Sequence, residues 1–190
     1  MKTLIIICTI VTVSFKVDYE AIQLWEMALS ADKIVYGEIT ELRENDYTLK
    51  IIASPTNDVG TIKIIRFKSW ICATRWAKYE RGQRIIVFLE KRENAYHIMN
   101  AGDEGEIEVK NNQVKIIAYN FQYKYAVSDL QINTFIKIMK ELRMCYGVNK
   151  DVRNLPYKKP DCKDDTLNSD KNDNSLYNCL KKEIPQKLKE

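Results

Sequence analysis

The sequence predicts a mainly β domain with flanking helices, its strands closed into a five- to six-stranded barrel. Three observations carry that expectation. Short segments of alternating or continuous apolar residues, each bounded by turn residues, recur between residues 33 and 121. A helical apolar pattern stands on either side of them, one N-terminal and one C-terminal. A polar, aromatic-rich insert, "WICATRWAKYERG", separates the third strand-like segment from the fourth.

In chain order, "DYEAIQLWEMALSAD" places Ile22, Trp25, Ala28 and Leu29 at helical spacing. "KIVYGEIT" sets Val35, Gly37 and Ile39 on one strand face, and a glycine inside a strand marks a bulge or a close backbone approach. The turn "ENDY" leads into "YTLKIIA", with Tyr47, Leu49 and Ile51 on one face. The breaker-rich "SPTNDVG" then leads to "TIKIIRF". After the insert, "RIIVFLE" is apolar at five consecutive positions, which predicts a central strand covered on both faces. "KRENA" turns the chain into "YHIMNA", and an acidic loop, "GDEGE", precedes "IEV", the turn "KNNQ" and a last strand, "VKIIAYNF".

Three strands, a capping insert and further strands are the organisation of the OB-fold, which closes its sheet and so protects its edges. The insert is then expected to plug one barrel end, with Trp70, Trp76 and Tyr79 as lid and core residues and Gly82 returning the chain to the sheet. "SDLQINTFIKIMKELRMCYG" reads as a helix, with Ser128 and Gln131 in a capping-box pattern and Gly147 as its stop. Its stripe of Ile132, Phe135, Ile136, Met139 and Leu142 is expected to dock on the barrel. Residues 149–190 carry few large apolar side chains and many charges, which predicts a polar, loosely packed extension held where cysteines staple it.

The N-terminus bears on compartment. "MKTLIIICTIVTVSFK" has Lys2 followed by a charge-free run from Thr3 to Phe15. Such a run fits the core of a secretory signal but falls short of the ~20 residues of a spanning helix. Thr12 and Ser14 suit signal peptidase, so residues 1–14 are expected to be a signal peptide; a buried N-terminal strand or helix is the alternative. The expected division is therefore 1–14 signal, 15–148 barrel domain and 149–190 extension, in a secreted or periplasmic protein with no transmembrane segment after signal removal. Cleavage would leave Cys72, Cys145, Cys162 and Cys179, and four cysteines in an oxidising compartment allow three pairings. The pairing that asks least of the expected backbone is Cys72–Cys145 with Cys162–Cys179.

Several chemistries are disfavoured. His97 is the single histidine, so a zinc site lacks its usual ligands and a cysteine nucleophile its usual base. No G-x-S-x-G, H-E-x-x-H or phosphate-loop motif occurs. "DKNDNS" begins like a calcium loop, but Ser175 and Lys181 stand where glycine and glutamate are needed. Asp103, Glu104, Glu106 and Glu108 read as a solvated turn in preference to a weak cation site. No metal and no cofactor are expected.

One feature exceeds background. Between Lys63 and Arg92 stand nine basic residues (Lys63, Arg66, Lys68, Arg75, Lys78, Arg81, Arg84, Lys91, Arg92) against Glu80 and Glu90. They form a solvated face, or a surface for an acidic protein or an anionic envelope component, with Arg75, Lys78, Arg81 and Arg84 as the candidate binding residues. Export and the expected burial of the tryptophans weigh against nucleic acid.

"SADKIVYGEITEL", the Cys72 insert and "YERGQRIIVFLE" resemble netrin-like modules, the OB-fold group that includes tissue inhibitors of metalloproteinases, over about residues 30–110. The chain also resembles bacterial envelope proteins with a "W-x-C-A-x-R-W-A-x-Y-x-x-G-Q" segment and no assigned activity. The resemblance implies a non-enzymatic binding module outside the cytoplasm. Those inhibitors reach the target zinc with an N-terminal cysteine; no cysteine stands between Cys8 and Cys72, so that mechanism does not carry over. An envelope hydrolase whose carboxylates are illegible from spacing is the alternative.

Overall fold

The computed structural model describes residues 22–69, 74–100, 104–115, 130–149, 155–160, 162, 176, 180 and 184. Strand β1 (Lys33–Leu42) pairs antiparallel with β2 (Asp46–Ala53), which pairs with β3 (Thr61–Ile65). Across the insert, β4 (Arg84–Arg92) forms a hairpin with β5 (Ala95–Ile98). Two pairings close the barrel: β5 runs parallel to β3 at Ile64–Tyr96 and Ile65–His97, and β4 runs antiparallel to β1 from Lys33–Leu89 to Glu38–Arg84. The order β1-β2-β3-β5-β4 returning to β1 is the five-stranded OB-like barrel that the sequence predicts. Beyond β4 the sheet continues through β6 (Glu106–Lys110), β7 (Gln113–Lys115) and β8 (Leu130–Gln131).

Side-chain alternation divides the apolar residues between two cores. Val35, Ile39, Tyr47, Leu49, Ile62, Ile64, Ile85, Val87, Leu89 and Ile98 fill the barrel. Their neighbours Ile34, Tyr36, Ile86 and Phe88 face outward into a second core built with the helices. Strand β4 is thus buried on both faces, and its five apolar residues lose all contact with water. At Gly37 the register of β1 against β2 shifts, and a Cβ would come within 2.7 Å of Leu49 Cγ. A bulge and a close approach both hold that glycine.

Helix α1 (Leu24–Ser30) is shorter than its apolar pattern, and Leu24 and Met27 are buried beside Trp25, Ala28 and Leu29. Helix α2 (Ile132–Cys145) buries Ile132, Phe135, Ile138, Met139 and Leu142, with Ile136 packed at the margin. Phe135 meets Phe88 edge-on at 6.5 Å, which fixes α2 against the outer face of the barrel. The expected caps differ. Ser128 lies outside the described residues, Gln131 makes no side-chain cap, and Ile132 N–H donates to Asn112 O at 3.0 Å. Gly147 does not stop the helix, which ends at Cys145. It lies in β9 (Tyr146–Asn149), where the ring of Tyr157 on β10 (Leu155–Lys158) leaves 2.7 Å for a Cβ.

The C-terminal region departs from the loosely packed extension expected for 149–190. Leu176, Leu180 and Ile184 lie in helical backbone and are fully buried in the outer core. Spaced four apart, these three large side chains share one helical stripe, which mean composition does not reveal. The disulfide pairing also differs. Cys145 bonds Cys162, with Cα atoms 4.6 Å apart, so neither Cys72–Cys145 nor Cys162–Cys179 forms. The β9–β10 hairpin returns the chain to the end of α2. There Lys159 N–H donates to Cys145 O at 2.8 Å, and Lys159 Nζ donates to Arg143 O at 2.7 Å. Cys72 and Cys179 lie outside the described residues, as does the proposed signal segment. No helix among the described residues is long and apolar enough to cross a membrane.

Candidate functional site

Residues 74–82 of the insert lie at one mouth of the barrel, where Tyr79 joins the barrel core, and a buried carboxylate organises them. Glu106 pairs with Val87 of β4, whose side chain points into the barrel, so Glu106 points the same way and is 0% exposed. Its Oε1 accepts from Tyr47 Oη at 2.7 Å and from Tyr79 Oη at 3.0 Å. Arg75 Nε donates to its Oε2 in an ion pair whose arginine side chain is 3% exposed. Arg75 also donates from Nη1 to Ala77 O at 2.6 Å and from Nη2 to Gln83 Oε1 at 2.8 Å. Its guanidinium stacks on Tyr79 at 3.9 Å and on Trp76 at 4.3 Å. Trp76 Nε1 donates to Glu106 O at 3.0 Å.

Burial sets the proton affinities here. It pushes the Glu106 carboxyl above the usual carboxylate range, against the Arg75 charge and the tyrosine hydrogen bonds that pull it down. Burial, then the Glu106 charge, hold Tyr47 and Tyr79 well above the ordinary phenol value, so both stay hydroxyl donors. Fully buried and bonded by three side-chain donors, Glu106 presents no edge to a substrate. It is a tie-rod between sheet and insert.

This arrangement corrects two expectations. Arg75 is not an exposed binding charge, because the carboxylate of Glu106 holds it inside the barrel mouth. Glu106 does not belong to a solvated turn, and Glu104, 3% exposed and bonded by Asn100, does not either. Asp103 lies outside the described residues, as do Trp70 and Cys72. Strand alternation alone places Glu106 and Glu108 on one face without saying which; the register of β6 on β4 turns that face inward.

The other candidates do not converge. Arg81 is exposed and donates from Nε to Thr40 O at 2.9 Å; Arg84 is exposed and meets Glu38 at 3.2 Å. Both lean on β1. Lys78 stands elsewhere, on the wall of a cleft of about 640 Å³ between the start of the insert and the β1–β2 turn. Glu44, Arg66, Phe67, Lys68 and Tyr79 line it with Lys78. Arg66, which the basic run contains without distinguishing it, is held there in a fixed pose. Its Nη1 donates to Arg43 O at 2.8 Å and to Glu44 O at 3.0 Å, and its guanidinium lies 4.7 Å over the Tyr79 ring. Among the described residues, Arg66, Lys68 and Lys78 meet no carboxylate, whereas Lys63, Arg84 and Arg92 each do.

No family model, curated protein or solved structure matches this chain. Among the described residues no group of histidine, cysteine or acidic side chains is placed to hold a metal ion. The described lining of the cleft offers cations, one carboxylate and the side chains of Phe67 and Ala77.

Proposed function

We propose that the chain is a non-enzymatic binding module of netrin-like kind, acting outside the cytoplasm and engaging an anionic partner at the barrel mouth. The observation that carries this is the cleft, where three cations without a carboxylate partner among the described residues surround a concave wall. Charges left unpaired beside a cavity are free to steer and hold a partner of opposite sign. The Cys145–Cys162 bridge supports an oxidising compartment, and the charge-free run after Lys2 supports export to it. The closed five-stranded barrel is the architecture that the netrin-like likeness implies.

An envelope hydrolase is the lesser reading. Acid–base work needs a carboxylate with a free edge facing the cavity. Glu106 is fully buried among its donors, and Glu44 faces the cleft without a second acid among its described lining residues.

Retention on polyglutamate-coated beads tests the proposal. The parent should be held at low salt and released as salt rises, and Lys68→Glu with Lys78→Glu should abolish retention. Lys110→Glu with Lys140→Glu makes the same net charge change at exposed positions elsewhere and should retain binding. Equal losses from the two pairs would sink the cleft as the binding surface.

A further inference from the structure

We infer that the barrel-mouth cleft is a built site for a dianionic phosphomonoester carried on a small apolar or aromatic body, with Arg66 as the anchoring residue. This rests on the reading of the cleft as the binding surface of the module and adds the class of group it takes.

Arg66 is the first reason. Both Nη1 protons are spent on the carbonyls of Arg43 and Glu44, and the planar group is stacked over Tyr79. An arginine already held this way loses little rotamer freedom on binding. Its Nε–Nη2 edge has no partner among the described residues. That edge is a two-donor fork, the shape that matches two oxygens of a phosphate or carboxylate.

Charge selects between those two groups. Arg66, Lys68 and Lys78 stand against Glu44 alone, leaving two positive charges, while Arg75 is cancelled by Glu106. A monocarboxylate neutralises one of them. A phosphomonoester near neutral pH carries about 1.5 to 2 negative charges and meets both. Size then leaves room for more than a bare ion. A cavity of about 640 Å³ lies among those that take small organic molecules. Phe67 and Ala77 supply apolar wall for the rest of the ligand.

Titration calorimetry of the full chain with phenyl phosphate, inorganic phosphate and benzoate tests the assignment. Phenyl phosphate should bind tightest, because it alone supplies both the dianion and the ring. Arg66→Met should weaken it by at least about tenfold, and Arg66→Lys, which keeps the charge but loses the fork, by nearly as much. Arg66 also braces the β1–β2 turn, so Lys78→Met serves as a second variant free of that role; it should weaken phenyl phosphate about threefold or more. Lys110→Met should leave it within about twofold of the parent. Sedimentation with phosphatidic acid vesicles against phosphatidylcholine vesicles identifies the source. Capture by the former alone assigns a lipid headgroup, whereas phenyl phosphate binding without capture assigns a soluble phosphomonoester. Failure of phenyl phosphate to bind, benzoate binding as tightly, an unchanged Lys78→Met variant, or an equal loss in Lys110→Met overturns the inference. If phenyl phosphate fails while polyglutamate retention persists, the phosphate assignment falls and the binding-module reading stands; loss of both removes both.

Discussion

The buried ion pair of Glu106 and Arg75 sets the energetics of the barrel mouth at the scale of single residues. A charge without water must find its partner inside the protein, and removing one partner leaves the other stranded. Glu106→Gln keeps the shape but strands the Arg75 guanidinium, and should cost about 3–5 kcal/mol in urea unfolding. Joining Glu106→Leu to Arg75→Met removes both charges and should recover a large part of the loss of either single change, a coupling that a double-mutant cycle reads directly. The tyrosines add a pH signature. Tyr47 titrates well above its ordinary 10.0 in the folded state, through burial first and the Glu106 charge second. Its stabilising contribution is complete below that ordinary value and is lost as pH rises towards the folded value, because the unfolded chain ionises first. Stability measured from pH 8 upward should therefore fall once pH passes 10, and Tyr47→Phe should lessen that fall, leaving the share of Tyr79. Arg66 differs in kind from Arg75. Both are ordered, but Arg66 is held by carbonyls and so keeps its charge unanswered among the described residues.

At the scale of elements, the barrel is sealed by pieces distant in the chain. Helix α1 packs with α2 on the outer face of β1 and β4, and Arg143 of α2 donates to Ala28 O at 3.1 Å and Ala31 O at 2.8 Å at the end of α1. The C-terminal stripe completes that layer, so Leu180→Ala should destabilise the whole domain by about 2–5 kcal/mol. A mutant that melts with the parent would show that the stripe is not core. The bridge joins α2 to the end of the β9–β10 hairpin across a separation of 17 residues. Removing it with Cys145→Ser and Cys162→Ser should cost about 3 kcal/mol, since a closed loop of this length restricts the unfolded chain by that order. Non-reducing peptide mapping should recover Cys145 linked to Cys162; recovery of Cys72 linked to Cys145 would refute the placement of the hairpin.

Across the whole molecule, two cores share one wall, and β4 is that wall. Its run from Ile85 to Leu89 alternates between the barrel interior and the helical layer, so one strand couples plug and helices into a cooperative unit. Denaturation followed at the barrel-mouth tryptophan and by helical circular dichroism should therefore give coincident transitions; separated midpoints would mean two units. Local pattern was enough for strands β1 to β6, the two-sided burial of β4, the close approach at Gly37 and the apolar face of α2, because alternation and helical spacing depend only on neighbouring residues. It missed β8 to β10, which lie in segments read as helix or polar extension. Tertiary structure decided the rest. Glu106 turns inward because β6 pairs with β4 in one register, and a carboxylate looks the same in sequence whether a guanidinium or water awaits it. Arg75 and Arg66, nine positions apart in one basic run, divide into a structural ion pair and a cleft-lining charge through contacts with Glu106 and with the Arg43 and Glu44 carbonyls. Cys145 chose Cys162 because a hairpin brought them together. What the sequence determined by itself was periodicity, hence the closed barrel and its flanking helices; charge pairing and disulfide partners are long-range contacts, and only the folded chain selects among them.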